Sequence, residues 1–390
     1  MAEFKGQSDI QVLLLSGSPR ERGRIHGETL REQIREMISL WKDNIRSDMR
    51  MDPDDFLQQL VTETQFIPAI KKWTPELLDE IVGIAEGSGV DFATIYARQL
   101  SDEEPWFRME KKLSLSGHSQ GVSGIPEKCT AIGTNPQGSL PAIAAQNMDT
   151  PAYYDGFQVL LHIKYTDSPL EVFMFTVAGK INLSGMSNAP VAICCNSVLP
   201  LDYSKDGLPE DFVVRGALEQ PSFDDALAFM SNIKHASGQN YVIGGMERVL
   251  SLECSANKVV EYIPYLGANR VYHTNHPLVN DDQGIYNKRL SSTHPGLQES
   301  WRDASGARTN TFLRFETLQR NLSDPEDVIT IETIKSLLSS HEAPICFKTD
   351  SKISLGCLIM ELSEDPKLHL APGPPCSTPF RTHKFAYRKS

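Results

Sequence analysis

An α+β fold built on antiparallel sheets is predicted by three features of this chain. Helical periodicity is concentrated in residues 1–110, strand-like segments then follow one another in hairpin order, and a helix returns only late. Strands and helices do not alternate, which argues against a βαβ-type parallel sheet. A Ser/Gly-rich stretch, residues 113–124, separates the two regions and leads to Pro126.

The elements follow from local chemistry. Gly23, Gly27 and Glu28 lead into a helix with Leu30, Ile34, Met37, Ile38 and Trp41 on one face. A second helix opens at Thr74, Pro75 and Glu76, with a cap, a first-turn proline and an early carboxylate. It buries Leu77, Leu78, Ile81, Val82 and Ala85 and stops at Gly87, Ser88 and Gly89. A shorter helical piece follows Asp91 and carries Phe92, Ile95 and Tyr96. Residues 130–134 and 142–147 flank the turn cluster Asn135, Pro136, Gln137 and Gly138, which predicts a hairpin. Further strands are expected over residues 157–165, 171–177, 191–195, 241–244, 249–254 and 259–263. A helix at 330–340 and strands at 356–362 and 367–370 close the series.

The 390 residues suffice for one large domain or two, and 40% hydrophobic with 23% charged residues is ordinary for a globular protein. A net charge of -12 with no basic block argues against a nucleic-acid partner. The apolar run at residues 12–15 is too short for a signal core, and no stretch approaches a membrane span. Seven scattered cysteines, an odd number, point to free thiols in a reducing compartment, so a cytoplasmic enzyme is expected.

Two constellations compete for the chemistry. Gly117, Ser119 and Gly121 match the G-x-S-x-G elbow, which needs a buried strand before the serine and a helix after it. Residues 111–114 make poor strand and 122–126 cannot start a helix, so the match reads as chance and Ser119 as dispensable. Cys129 instead starts a strand directly after the linker, and Gln146, Asn147, Met148 and Asp149 follow across the hairpin. Taken alone, Cys129 is better explained as a buried, inert thiol at a strand start.

Cys129, Thr130 and Ala131, the Asn-Pro-Gln-Gly turn and the Gln146 to Asp149 run resemble the nucleophile strand and following strand of the isopenicillin N acyltransferase family of N-terminal-nucleophile cysteine hydrolases. Gly23, Gly27 and Glu28, then residues 80–87, resemble that family's N-terminal helices. Residues 185–188 with Asn196, residues 273–276 and residues 371–376 resemble its later segments in order. The resemblance implies an αββα sandwich of two antiparallel sheets between helical layers, one compact domain overall. It further implies cleavage at Lys128-Cys129 into an α chain, 1–128, and a β chain, 129–390, that stay partners. Cys129 would then be both nucleophile and base, since a free α-amine of pKa about 7.7–8.0 can take the thiol proton.

By the same resemblance Asp149 is the carboxylate near the thiol, and the Asn275 side-chain amide donates to the oxyanion. Asn147 either shares the site or satisfies backbone. The family's active-site arginine falls at Arg308 or Arg314. Lys128 departs from the small or acidic residue usual before the scissile bond, and Met148 from an aromatic. The implied reaction is cleavage or transfer of an acyl group at an amide through a Cys129 thioester. No metal or cofactor is implied, with acyl-CoA admitted as a co-substrate. His273 and His276, three apart before Pro277, lack a third metal ligand at suitable spacing. Alternatives are an N-acyl or β-alanyl amine hydrolase without CoA, an unprocessed Cys/His enzyme, and a binding protein that has kept only the fold.

Overall fold

The computed structural model describes residues 9–115, 129–283 and 310–385. Strand β1 (Gln11–Ser16) is followed by seven helices, α1 (Pro19–Thr29), α2 (Arg31–Met49), α3 (Pro53–Glu63), α4 (Phe66–Trp73), α5 (Pro75–Ser88), α6 (Phe92–Arg98) and α7 (Glu104–Leu115). The hairpin β2 (Cys129–Thr134) and β3 (Ala142–Pro151) comes next. Then follow β4 (Gln158–Lys164), β5 (Glu171–Val177), β6 (Ser184–Ser187), β7 (Ala192–Ser197), helices α8 (Glu210–Leu218) and α9 (Phe223–Asn232), β8 (Gln239–Gly244), β9 (Val249–Cys254), β10 (Val259–Tyr262) and β11 (Arg270–His273). Helices α10 (Asn310–Leu322) and α11 (Ile331–Leu338) precede β12 (Lys352–Leu362), β13 (Lys367–Ala371) and β14 (Arg381–Lys384).

Among the described residues the strands form an eight-stranded sheet, ordered β1-β4-β5-β6-β7-β8-β9-β10, and a six-stranded sheet, ordered β11-β2-β3-β12-β13-β14. Strict alternation of side chains sends Ala131, Ala144 and Met148 toward the other sheet, and Ile132, Ile143 and Ala145 toward α10 and α11. Three apolar layers result. One lies between α1–α9 and the large sheet, one between the sheets, and one between the small sheet and α10–α11. This is the αββα sandwich that the resemblance implies. Met37 of α2 shares the inter-sheet layer with Leu358 and Leu370, so residues on both sides of position 128 build one core.

The expectation of purely antiparallel sheets needs one correction. The apolar run at 12–15 is β1, and it pairs parallel with β4, Gln11 opposite Val159. A parallel pair needs a long crossover, and the seven helices between β1 and the hairpin supply it. Thr74 is a second correction, because its side chain makes no capping bond to α5. Helix α7 also runs to Leu115, into the stretch read as linker. The rest of that stretch, with Ser119, lies outside the described residues.

The α1–α5 contact explains the paired glycine motifs. A Cβ on Gly23 would stand 1.8 Å from the Glu80 carbonyl oxygen, and one on Gly83 2.1 Å from that of Arg20. Gly27 and Gly87 repeat the pattern one turn on, so the backbones touch along a stripe no side chain can enter. Beside it Glu80, wholly buried, accepts from Arg22 at 3.2 Å and from Arg215 at 2.9 and 3.1 Å. Two guanidiniums outweigh the desolvation of that carboxylate and hold it below its usual range.

Candidate active site

Pairing places the site at one end of the small sheet. His273 lies opposite Ala131, so the chain leaving β11 runs past the start of β2, bringing Asn275 alongside Cys129. The Cys129 N–H donates to Asn275 Oδ1 at 3.1 Å. Arg314, one turn into α10 and fully buried, donates from Nη1 to the Cys129 carbonyl at 2.5 Å and to Thr130 Oγ1 at 2.9 Å. Its Nη2 donates to Asn275 Oδ1 at 2.8 Å, and its Nε is held by Asn310. A planar fork with several fixed donors can span these acceptors at once, which an ammonium cannot.

The Asn275 loop is pinned from both sides. Its N–H donates to Thr311 Oγ1 at 2.8 Å and its Nδ2 to the Ser197 carbonyl at 3.0 Å. Just before it, His273 contacts Glu253 through Nε2 at 2.7 Å and the Thr274 carbonyl through Nδ1 at 2.9 Å. Glu253 also accepts from the backbone N–H groups of Leu278, Val279 and Asn280, and despite burial its pKa stays below the usual range. A carboxylate inside the apolar strand Leu250, Leu252, Cys254 was the sequence signal for this anchor.

The Cys129 thiol shares its face with Met148, its partner in β3, toward the other sheet. It borders a pocket, partly open to solvent, that is also lined by Ser101, Asp102, Asp149, Tyr154, Ser197 and Glu210. Asp149 is buried, accepts from Ser354 Oγ at 2.5 Å, and leaves Oδ2 without a hydrogen-bond partner. Burial pushes its pKa up to about 6 against the pull of Lys352 and Arg314. Glu210 is pushed up as well, by burial and by Asp102 and Asp211.

The structure thus gathers Cys129, Asn275, Arg314 and Asp149 around one strand end. It does not bring Asn147 there. That side chain points to the helical side and donates to the Leu338 and Ile345 carbonyls at 2.7 and 3.0 Å. Lys128 and Arg308 lie outside the described residues. Neither histidine of the 273–276 run lines the pocket. His276 stacks on Phe312 and contacts Thr311 Oγ1 at 3.0 Å, and burial lowers its pKa to about 3. Cys194 and Cys195 are buried, as expected of core thiols, and Cys195 borders the pocket.

Residues 136–354, more than half of the chain, match the family described as acyl-coenzyme A:6-aminopenicillanic acid acyl-transferase. The chain belongs to that family. The match begins seven positions after Cys129, so it covers Asp149 and Asn275 but not the thiol. The 40 kDa form of acyl-coenzyme A:6-aminopenicillanic-acid-acyltransferase from Emericella nidulans is 25% identical over 266 residues, 68% of each chain. Among solved structures, the Caenorhabditis elegans N-acylethanolamine-hydrolyzing acid amidase ortholog aligns at 14% identity and a TM-score of 0.41, covering 60% of this chain and 92% of that one. Penicillin V acylase from Agrobacterium tumefaciens aligns at 11% identity and 0.36, covering 63% and 82%.

Proposed function

We propose that this family member is a self-processing cysteine amidohydrolase or acyltransferase whose nucleophile is Cys129. The observation that carries the reading is the clamp on that residue. Asn275 takes its N–H, Arg314 takes its carbonyl and steadies Asn275, and its thiol borders a pocket. An inert core cysteine has no need of a buried guanidinium on its own backbone, and burying that charge is costly unless it is fully bonded.

In processing, the Cys129 sulfur attacks the Lys128 carbonyl carbon and the C–N bond breaks as its nitrogen gains a proton. Water then hydrolyses the thioester, leaving a carboxylate on Lys128 and a free α-amine on Cys129. The Asn275 oxygen that holds the amide N–H would then hold that amine. The nearby Arg314 charge disfavours its ammonium form, so it is ready to accept the thiol proton. In turnover the thiolate attacks an amide or acyl-CoA carbonyl, the amine or thiol leaves with the proton, and water or an acceptor amine collects the acyl group. Asn275 Nδ2 is the donor proposed for the oxyanion, and Asp149 the carboxylate that keeps the new amine in register. The α and β chains would stay together through their shared core, and no cofactor takes part in the acyl transfer. Nothing in the geometry favours a Cys/His enzyme, since His273 is committed to Glu253.

Intact-mass measurement and N-terminal sequencing test this directly. Fragments 1–128 and 129–390, roughly 14 and 29 kDa of the 43.4 kDa chain, should co-elute, the larger beginning Cys129-Thr130-Ala131. Cys129→Ala should stay folded, uncut and inactive. A homogeneous full-length species with full amidase activity would sink the proposal.

A further inference from the structure

A second cluster of chemically capable side chains lies behind Asp149, on the helical side of the small sheet. His341 and Cys346 come from the loop between α11 and β12, and Cys376 from the exit of β13. The ligating atoms of all three lie within 4.8 Å of one another. We propose that His341, Cys346 and Cys376 bind one soft divalent cation of the zinc class, a fourth position being left to water. Tetrahedral zinc with Zn–S about 2.3 Å and Zn–N about 2.0–2.1 Å holds its ligands about 3.5–4 Å apart. The three donors therefore need to close by at most about 0.8–1.3 Å, within the reach of side-chain torsions.

The backbone carrying the donors is already fixed. The Cys346 N–H donates to the Ser340 carbonyl at 3.1 Å, which locks the loop next to His341. Ser377 and Thr378 both donate to the Pro374 carbonyl, forming the turn that presents Cys376, and Lys348 Nζ reaches Ser377 Oγ at 3.3 Å to tie the two loops. Cys346 is buried while His341 and Cys376 are exposed, so an ion can enter from solvent. The donor set of one imidazole and two thiols suits zinc better than magnesium or calcium, which favour oxygen. Binding releases both thiol protons to solvent.

The site is joined to the catalytic side of the sheet. Phe347, next to Cys346, donates its N–H to Ser354 Oγ at 2.9 Å, and its carbonyl accepts from the Ser354 N–H at 2.9 Å. That same Ser354 hydroxyl donates to Asp149. An ion fastening the Cys346 loop would steady the Asp149 carboxyl through one intervening side chain.

The test uses the full chain carrying Cys129→Ala, so that its outcome does not depend on the role of that thiol. Protein freed of metal with a chelator is titrated with Zn2+ against a chromophoric competitor. One equivalent should bind, with proton release and a raised thermal midpoint. His341→Ala and Cys376→Ser, both at exposed positions, should each weaken binding by at least about 100-fold, beyond the 10–100-fold typical of losing an outer-shell partner. Unchanged affinity in both variants, or no saturable binding, overturns the proposal. So does a Cys346–Cys376 disulfide in the purified protein, seen as a mass two hydrogens lighter that binds no zinc after reduction.

Discussion

Replacing Arg314 by lysine keeps a buried positive charge and removes the fork that spans Cys129, Thr130 and Asn275. A lysine ammonium can reach one of these acceptors, so two charge-assisted hydrogen bonds are lost from the set of three. Each such bond is worth about 1.5–3 kcal/mol, so the loss of two comes to about 3–6 kcal/mol. If the bonds are as strong in the transition state as in the resting chain, the loss falls on folding. If they tighten as Cys129 reacts, about 10²–10⁴-fold in rate is at stake. The proposed mechanism requires the second outcome, because Asn275 left without Arg314 no longer holds the amine in line. The assay is a time course of intact mass during refolding, followed by single-turnover acylation of the processed fraction. Circular dichroism and a urea titration serve as the folding control. Cleavage and acylation within tenfold of the parent, with the fold unchanged, would show that Arg314 only braces the sheet.

Other outcomes follow from the same structure. Asn275→Ala should cut turnover by about 10²–10³ if Nδ2 serves the oxyanion, read as kcat with KM little changed. Asp149 ionises with more difficulty in the fold, its pKa rising from 3.8 to about 6, so the parent loses stability relative to Asp149→Asn as pH rises through that window. The difference should grow by about 2 kcal/mol between pH 4 and pH 7, and a pH-independent difference in urea titrations would refute it. Gly23→Ala should destabilise by about 2 kcal/mol or more. The about 1 kcal/mol gain in helix propensity cannot offset a Cβ placed 1.8 Å from the Glu80 carbonyl oxygen, and a raised thermal midpoint would contradict the close helix contact.

Much of the architecture was legible because it rests on short-range regularities. The β-branched and aromatic run in Glu171–Val177, the apolar run in Val249–Cys254, the Asn-Pro-Gln-Gly turn and the apolar stripe of α11 each favour a local conformation. Helices α3, α4, α7, α8 and α9 were less legible. In α8 every residue is buried, so no polar face marks its period. The role of β1 was also hidden, because four apolar residues show a strand's composition but not its partner.

The position of Cys129 at a strand start, the order of the family's motifs and the glycine pairs on α1 and α5 stand in the sequence itself. Whether Arg314 or another arginine reaches the thiol residue does not, and nor does the direction in which Asn147 points. Those depend on strand parity and on how α10 lies across the end of β2, contacts between residues 185 positions apart. The same holds for Glu253 beneath the Asn275 loop and for Asp149, whose pKa reflects burial that no neighbour in sequence imposes. Local backbone preferences act over a few residues and can be read along the chain. A site assembled from distant segments is set by the packing that brings them together, and only the tertiary structure determines that.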